Sequence, residues 1–208
     1  VNRSIGEVEG DLQEKFDRLD IPEGYEIYFG GETETREESF GELTKAFGLA
    51  VILTYMLLAA ILGSFIHPFT IMMTLPLSLI GVIIAMLITA KTLNILSFMA
   101  IIMLVGIVVN NAILLIDNIR NFRIQGLDLK RAVIEGSKGR LRPIIMTNLA
   151  TILGMLPLAL ELGEGAEMRS PMAIVSIGGL VSATIFTLFL IPLIFFIFEK
   201  ITEKNRCV

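Results

Sequence analysis

Apolar residues in this chain come in long unbroken runs separated by short polar connections. With charged residues as boundaries, five runs stand out, at about 47–66, 69–90, 93–116, 144–160 and 172–198. At about 1.5 Å of rise per helical residue, each crosses or nearly crosses a hydrocarbon core about 30 Å thick, the fourth only with its flanks included. Helices are the physical default, because backbone N–H and C=O groups left unpaired in lipid are costly. The weaker alternating signal of a membrane barrel is absent. Pro143 and Pro171 read as the openings of the fourth and fifth spans, and the first span closes at Gly63-Ser64 and His67-Pro68.

Upstream of the runs the pattern is that of a water-exposed fold. Ile5, Val8, Leu12, Phe16 and Leu19 recur at spacings of three and four, which predicts an amphipathic helix over 4–20. Pro22 and Gly24 break it, and residues 25–29 (YEIYF) alternate as a short strand that closes on Gly30-Gly31. One helix and one strand cannot bury an independent core, so this segment reads as the end of a larger external α/β domain. Between the third and fourth spans, residues 127–138 mix apolar and basic side chains, consistent with a short helix on the membrane surface or a solvated connector. The expected fold is an all-α polytopic membrane bundle of five transmembrane helices preceded by a small α/β stub. Its parts are the stub at 1–45, the transmembrane region at 46–199 with a basic loop at 118–142, and a tail at 200–208.

Composition sharpens this division. The chain is 54% hydrophobic and 18% charged. Residues 1–45 hold 13 of the 21 acids and 5 of the 17 basic residues, which leaves 8 acids and 12 bases for the other 163 residues. Such segregation excludes a single soluble globule and a disordered chain. Cys207 alone forms no disulfide framework or CxxC metal site, and the absence of Trp and of a basic patch interleaved with aromatics argues against a nucleic-acid partner. Val1 is followed by no basic n-region or short apolar h-region, so no signal peptide is read there, and the chain reads as part of a longer protein.

Charge also orients the bundle. The 118–142 loop contains Arg120, Arg123, Lys130, Arg131, Lys138, Arg140 and Arg142 against only Asp128 and Glu135, which predicts that it is cytoplasmic. Five spans then place the tail inside and both the amino-terminal segment and the acidic 161–170 loop outside.

Polar residues inside the runs are the candidate chemistry, since each costs free energy in lipid unless paired or hydrated. Asn110 and Asn111 lie in the third span and Asp117 at its edge, with Asn110 and Asp117 two helical turns apart on nearly one face. Thr147, Asn148 and Thr151 lie in the fourth, just after Arg140 and Arg142. Two readings stand side by side: hydrogen-bonding glue between helices, or the lining of a hydrated ion pathway. No carboxylate, lysine or histidine occurs near the centre of any span, so these five helices alone have no obvious proton carrier. Gly106, Gly154, Gly178 and Gly179 are candidate close-contact points between helices. Nothing points to an enzyme, a cofactor or a bound metal, because the Ser and Thr hydroxyls have no neighbouring base in sequence.

The ordered series GGETETREESF, GIVVNNAILLIDNIR, RLRPIIMTNLATILGMLPLAL and GGLVSATIFTLFLIPLIF resembles the C-terminal part of a resistance-nodulation-division (RND) transporter of the hydrophobe/amphiphile efflux type. The likeness covers essentially the whole chain. It implies the second transmembrane repeat of an inner-membrane efflux transporter, with residues 1–45 completing an external porter subdomain in the periplasm. It further implies a homotrimer, a membrane fusion protein and an outer-membrane channel as partners in a Gram-negative cell, and export of small hydrophobic or amphiphilic compounds by proton or other cation antiport. The essential aspartates would belong to a first repeat that this chain does not contain. Asn110 stands where drug-efflux members commonly carry a lysine that pairs with those aspartates, and asparagine forms no such ion pair. By the same resemblance Asn110, Asn111, Arg140 and Thr147 are expected in the proton or cation relay, with Asp117, Asn148 and Thr151 at its periphery. A protein-export accessory of the same superfamily, a heavy-metal exporter and an inactive piece lacking the first repeat are the competing expectations.

Overall fold

The computed structural model describes the backbone of residues 5–16, 18, 32–63 and 66–206. The chain divides into two units, Val1–Glu42 and Leu43–Val208. Among the described residues all regular structure is helical: α1 (Ile5–Phe16), α2 (Glu32–Leu62), α3 (Ile66–Met72), α4 (Thr74–Thr89), α5 (Ile95–Ile124), α6 (Leu129–Ala159) and α7 (Ala166–Arg206).

The expected α/β stub is corrected accordingly. Its amphipathic helix is described over Ile5–Phe16, with Val8 and Leu12 exposed. The strand expected at 25–29 lies outside the described residues, and no strand occurs among those described. Polar residues that read as an external approach to the first span are instead helical from Glu32 onward. Glutamate and arginine are good helix formers, so the apolar run marks where membrane length begins and not where the helix begins.

The same physics corrects the 118–142 loop. α5 continues to Ile124 and α6 starts at Leu129, so the connection shrinks to four residues. Gly126 takes a φ of 89°, its N–H donates to Arg123 O at 3.0 Å and that of Leu127 to Phe122 O at 3.3 Å, closing the turn in the manner of a Schellman motif. The expected surface helix is the first part of α6, which runs on through Pro143 and Pro157. α7 likewise begins before Pro171 and continues through it and Pro192. Proline removes one ladder bond and kinks a helix without having to end it, provided neighbouring helices hold both halves.

The second apolar run is divided at Met73 into α3 and α4. Pro76 sits in the first turn of α4, where its missing N–H is tolerated. Two hydroxyls bond back to the backbone there, Thr74 Oγ1 to Ile71 O at 2.6 Å and Ser78 Oγ to Leu75 O at 2.7 Å.

Among the described residues, five helical stretches are long and apolar enough to cross a membrane: Glu38–Leu62, His67–Thr89, Ile95–Ile124, Leu129–Ala159 and Ala166–Ile201. α7 lies at the centre, against α4, α5 and α6. Leu104, Leu115 and Ile116 of α5 and Leu180, Ile191 and Phe195 of α7 are fully buried in the core they share. Gly179 makes that contact close, since a Cβ there would fall 2.2 Å from Leu104 Cδ2.

Polar ties hold each end of the bundle. At one end Lys91, after α4, pairs with Glu161, after α6. At the other, Arg120 Nη1 donates to Leu62 O at 2.8 Å, capping the last turn of α2. Beside it His67 stacks on Phe195 with ring centroids 5.0 Å apart and faces Glu199 at 3.8 Å. These pairings fix the alternating direction of successive spans.

Candidate functional site

α5 has two unlike sides. Ala100, Leu104, Val108, Ala112, Leu115 and Ile119 are buried against the bundle. Opposite them Met103, Gly106, Asn110, Leu114, Asp117 and Asn121 are all exposed, at spacings of three and four that make one continuous face. Asn110 and Asp117 share that face, as their seven-residue spacing predicts. Asp117 Oδ2 accepts a hydrogen bond from Asn121 Nδ2 at 3.3 Å. A Cβ on Gly106 would meet nothing within 4 Å, and the same holds for Gly154 on α6, whereas Gly178 and Gly179 sit at tight helix crossings.

Asn111, half-buried, lies where the two sides of α5 meet. Its Nδ2 donates to Asn148 Oδ1 on α6 at 3.0 Å. Asn148 is only 4% exposed, and its own Nδ2 donates to Thr184 Oγ1 on α7 at 2.6 Å. Thr184 Oγ1 in turn donates to Leu180 O at 2.5 Å. The result is one chain of hydrogen bonds across three membrane-length helices, and it satisfies a buried amide that would be costly if unpaired. Thr184 was not singled out from the sequence. The available signal is a hydroxyl within an apolar span, as at Thr147.

The other expected site residues are placed differently. Thr147 is exposed and its hydroxyl turns back to its own helix, 3.1 Å from both Pro143 O and Ile144 O. Thr151 Oγ1 bonds to Thr147 O at 2.9 Å. Arg140 is half-buried, one helical turn before Ile144. Below it α5 and α6 come close: Asn118 Nδ2 donates to Gly136 O at 2.7 Å, and a Cβ on Gly136 would fall 2.8 Å from Ile119 Cα. The structure therefore joins Asn111 to Asn148 and leaves Asn110 and Thr147 open at the same level of the bundle.

Electrostatics away from the spans are simple. Lys91 donates to Glu161 and holds that carboxyl below the usual carboxylate range, with help from the Ser170 hydroxyl. Glu161 is the residue that closes α6, in the left-handed region at φ 59°. Asn94 ties the α4–α5 connection to the first turn of α7, with Nδ2 3.4 Å from Met168 O, while its Oδ1 caps α5 by accepting from Ser97 N at 2.8 Å.

A bundle of five membrane-length helices, with interior polar residues bridged between helices and others left open on one face, has the makeup of a polytopic membrane protein. A family model described as the AcrB/AcrD/AcrF family matches residues 1–199, and the chain belongs to that family, within the RND superfamily of efflux transporters. It is 34% identical over 203 residues to the Swarming motility protein SwrC of Bacillus subtilis (strain 168), covering 97% of this chain and 19% of that protein. Among solved structures it is similar to a heavy metal efflux pump in two crystal forms. Form II has a TM-score of 0.83 at 30% identity over 96% of this chain and 20% of that one. Form I has a TM-score of 0.82 at 30% identity over 95% and 20%. The chain thus spans about a fifth of the length of the relatives it matches.

Proposed function

We propose that these five spans form the second transmembrane repeat of a cation-driven antiporter that exports small hydrophobic or amphiphilic compounds. Asn110, Asn111, Arg140 and Thr147 contribute to its proton or cation relay, with Asp117, Asn148 and Thr151 at the periphery. The strongest support is the exposure of Asn110 and Thr147 within apolar spans, toward the same end of each. Polar groups facing lipid at that depth are costly, so their neighbourhood is expected to be protein or water. A first repeat carrying the aspartates is the natural cover. Gly106, Asn110 and Asp117 on one continuous face suit a close helix contact of that kind. In this reading the protein works as a homotrimer in the cytoplasmic membrane, with a membrane fusion protein and an outer-membrane channel in a Gram-negative cell. The basic turn and the tail are inside and residues 1–45 outside.

Because Asn110 holds no charge, the relay differs from one built on a lysine. Hydrogen bonds from Asn110, Asn111 and Thr147 to the aspartates or their water replace an ion pair, and Arg140 sets the potential at the inner mouth.

The test is transport by the full-length protein in proteoliposomes, with an imposed cation gradient and ethidium as the exported probe. Gradient-dependent export that falls at least tenfold in Asn110→Ala and Thr147→Ala supports the relay, and wild-type rates in both variants refute it. Likeness to a heavy metal efflux pump favours a second reading, export of metal ions. Competition of zinc or copper(I) with ethidium, or transport of the metal alone, decides between the two substrate classes.

A further inference from the structure

The asparagine pair Asn111–Asn148 has no polarity of its own. Each amide offers a carbonyl and an NH2 group, and the pair could form equally well with either residue donating. A hydroxyl has a single hydrogen, and that of Thr184 is used on Leu180 O at 2.5 Å. Toward Asn148 the Thr184 oxygen can therefore only accept. This turns the NH2 of Asn148 to α7 and its carbonyl to α5, so Asn111 must be the donor of the pair. The carbonyl oxygen of Asn111 is then the end of that amide left out of the chain. Leu180 is a firm anchor for the sequence of bonds, because it is fully buried and follows Gly179, wedged against Leu104 and Val82.

We propose that Thr184 is a positioning residue: acting through Asn148, it fixes the amide of Asn111 so that a carbonyl oxygen, and not an NH2 group, is offered to the cation pathway. The proposal rests on the relay reading above and adds to it the chemistry of the group served. A carbonyl accepts from a hydrated cation or from a protonated carboxyl, and an NH2 group in its place accepts from neither. Removing the hydroxyl leaves the pair free to reverse, so the driving cation is felt less strongly while the exported compound is not affected.

The experiment uses the full-length protein in proteoliposomes, with rates normalised to the folded, reconstituted amount and ethidium as probe. Thr184→Val is expected to raise the cation concentration for half-maximal export about three- to tenfold, a range typical of coupled neighbours in a buried network, with the ethidium KM unchanged. Thr184→Ser, which restores the hydroxyl, is expected to return within about twofold of wild type. Thr184→Val combined with Asn111→Ala is expected to match Asn111→Ala alone, because both act on one chain. If Thr184→Val does not accumulate, Thr184→Ala replaces it. An unchanged cation dependence in the hydroxyl-free variant, equal shifts in both KM values, or multiplying effects in the double variant overturns the proposal while leaving the transporter reading intact. Wild-type protein with no cation-dependent export overturns both.

Discussion

Gly81 of α4 and Gly178 of α7 meet backbone to backbone: a Cβ on Gly81 would lie 2.5 Å from Gly178 O, and one on Gly178 would lie 2.7 Å from Gly81 O. A carbonyl cannot rotate away as a side chain can. Gly178→Ala and Gly81→Ala must therefore push the two helices apart, an overpacking cost of about 1–3 kcal/mol. Lower melting temperatures of the detergent-purified protein for both variants check this, and wild-type melting would show that the crossing yields.

Gly106 and Gly154 have the opposite surroundings, with open space where a Cβ would go. Alanine at either site meets no clash within these helices and gains helix propensity of about 1 kcal/mol. A bulky residue separates the chain's own fold from whatever covers the face. Gly106→Phe is expected to abolish export in the full-length protein when another repeat docks there, with membrane insertion preserved. Normal export in that variant would mean that this side of α5 faces lipid.

The Lys91–Glu161 pair predicts an acid-sensitive connection between the α4–α5 and α6–α7 turns. Glu161 is held below the usual carboxylate range, so its contribution to stability is present above the carboxyl's ordinary pKa and is lost as pH falls through the lowered value. Both side chains are partly exposed, so salt screens the pair. Glu161→Gln is expected to flatten the fall of melting temperature with decreasing pH on the acid side, and to weaken its response to salt near neutrality. An acid profile identical to wild type would remove the pair from any stabilising role.

Asn148 holds partners on two other helices. Asn148→Leu removes both bonds and leaves the Asn111 amide and the Thr184 hydroxyl without their shared partner. At about 0.6–1.7 kcal/mol for each interhelical bond in a membrane protein, the loss is about 1–3 kcal/mol. Urea-free thermal unfolding and the exchange rate of α6 amides provide the check.

Arg120 caps α2 through Leu62 O at 2.8 Å. Charged donors contribute about 1.5–3 kcal/mol to such bonds, so Arg120→Met is expected to fray the end of α2. Faster hydrogen exchange confined to residues 58–63 would show it, and unchanged exchange there would count against the cap.

The five spans were legible because bilayer thickness imposes a length that composition reveals directly. Helix limits were not. Glu32–Glu38, Lys130–Lys138 and Ala166–Ser170 are polar or charged, yet all are helical, because hydropathy reports the solvent around a helix and not its hydrogen bonds. Proline misled in the same way at Pro143 and Pro171, which each half of the chain around them accommodates within one helix. At the site, Asn111 and Asn148 were found as polar residues in lipid, but their pairing needed the rotation of α5 against α6. Thr184 was hidden by the same lack of rotational information, which only the packed bundle supplies.

Pro143 carries a mechanical consequence. It offers no N–H to Gly139 O, so the backbone ladder of α6 has a gap between Gly139 and Pro143. Both sides of the gap are fastened to the same neighbour, through Asn118 to Gly136 on one side and Asn111 to Asn148 on the other. α5 thus works as a splint across a joint. Flexing α6 at Pro143 strains one of those two fastenings, so a bend in the rod and the hydrogen-bonding state of Asn111 are not independent variables.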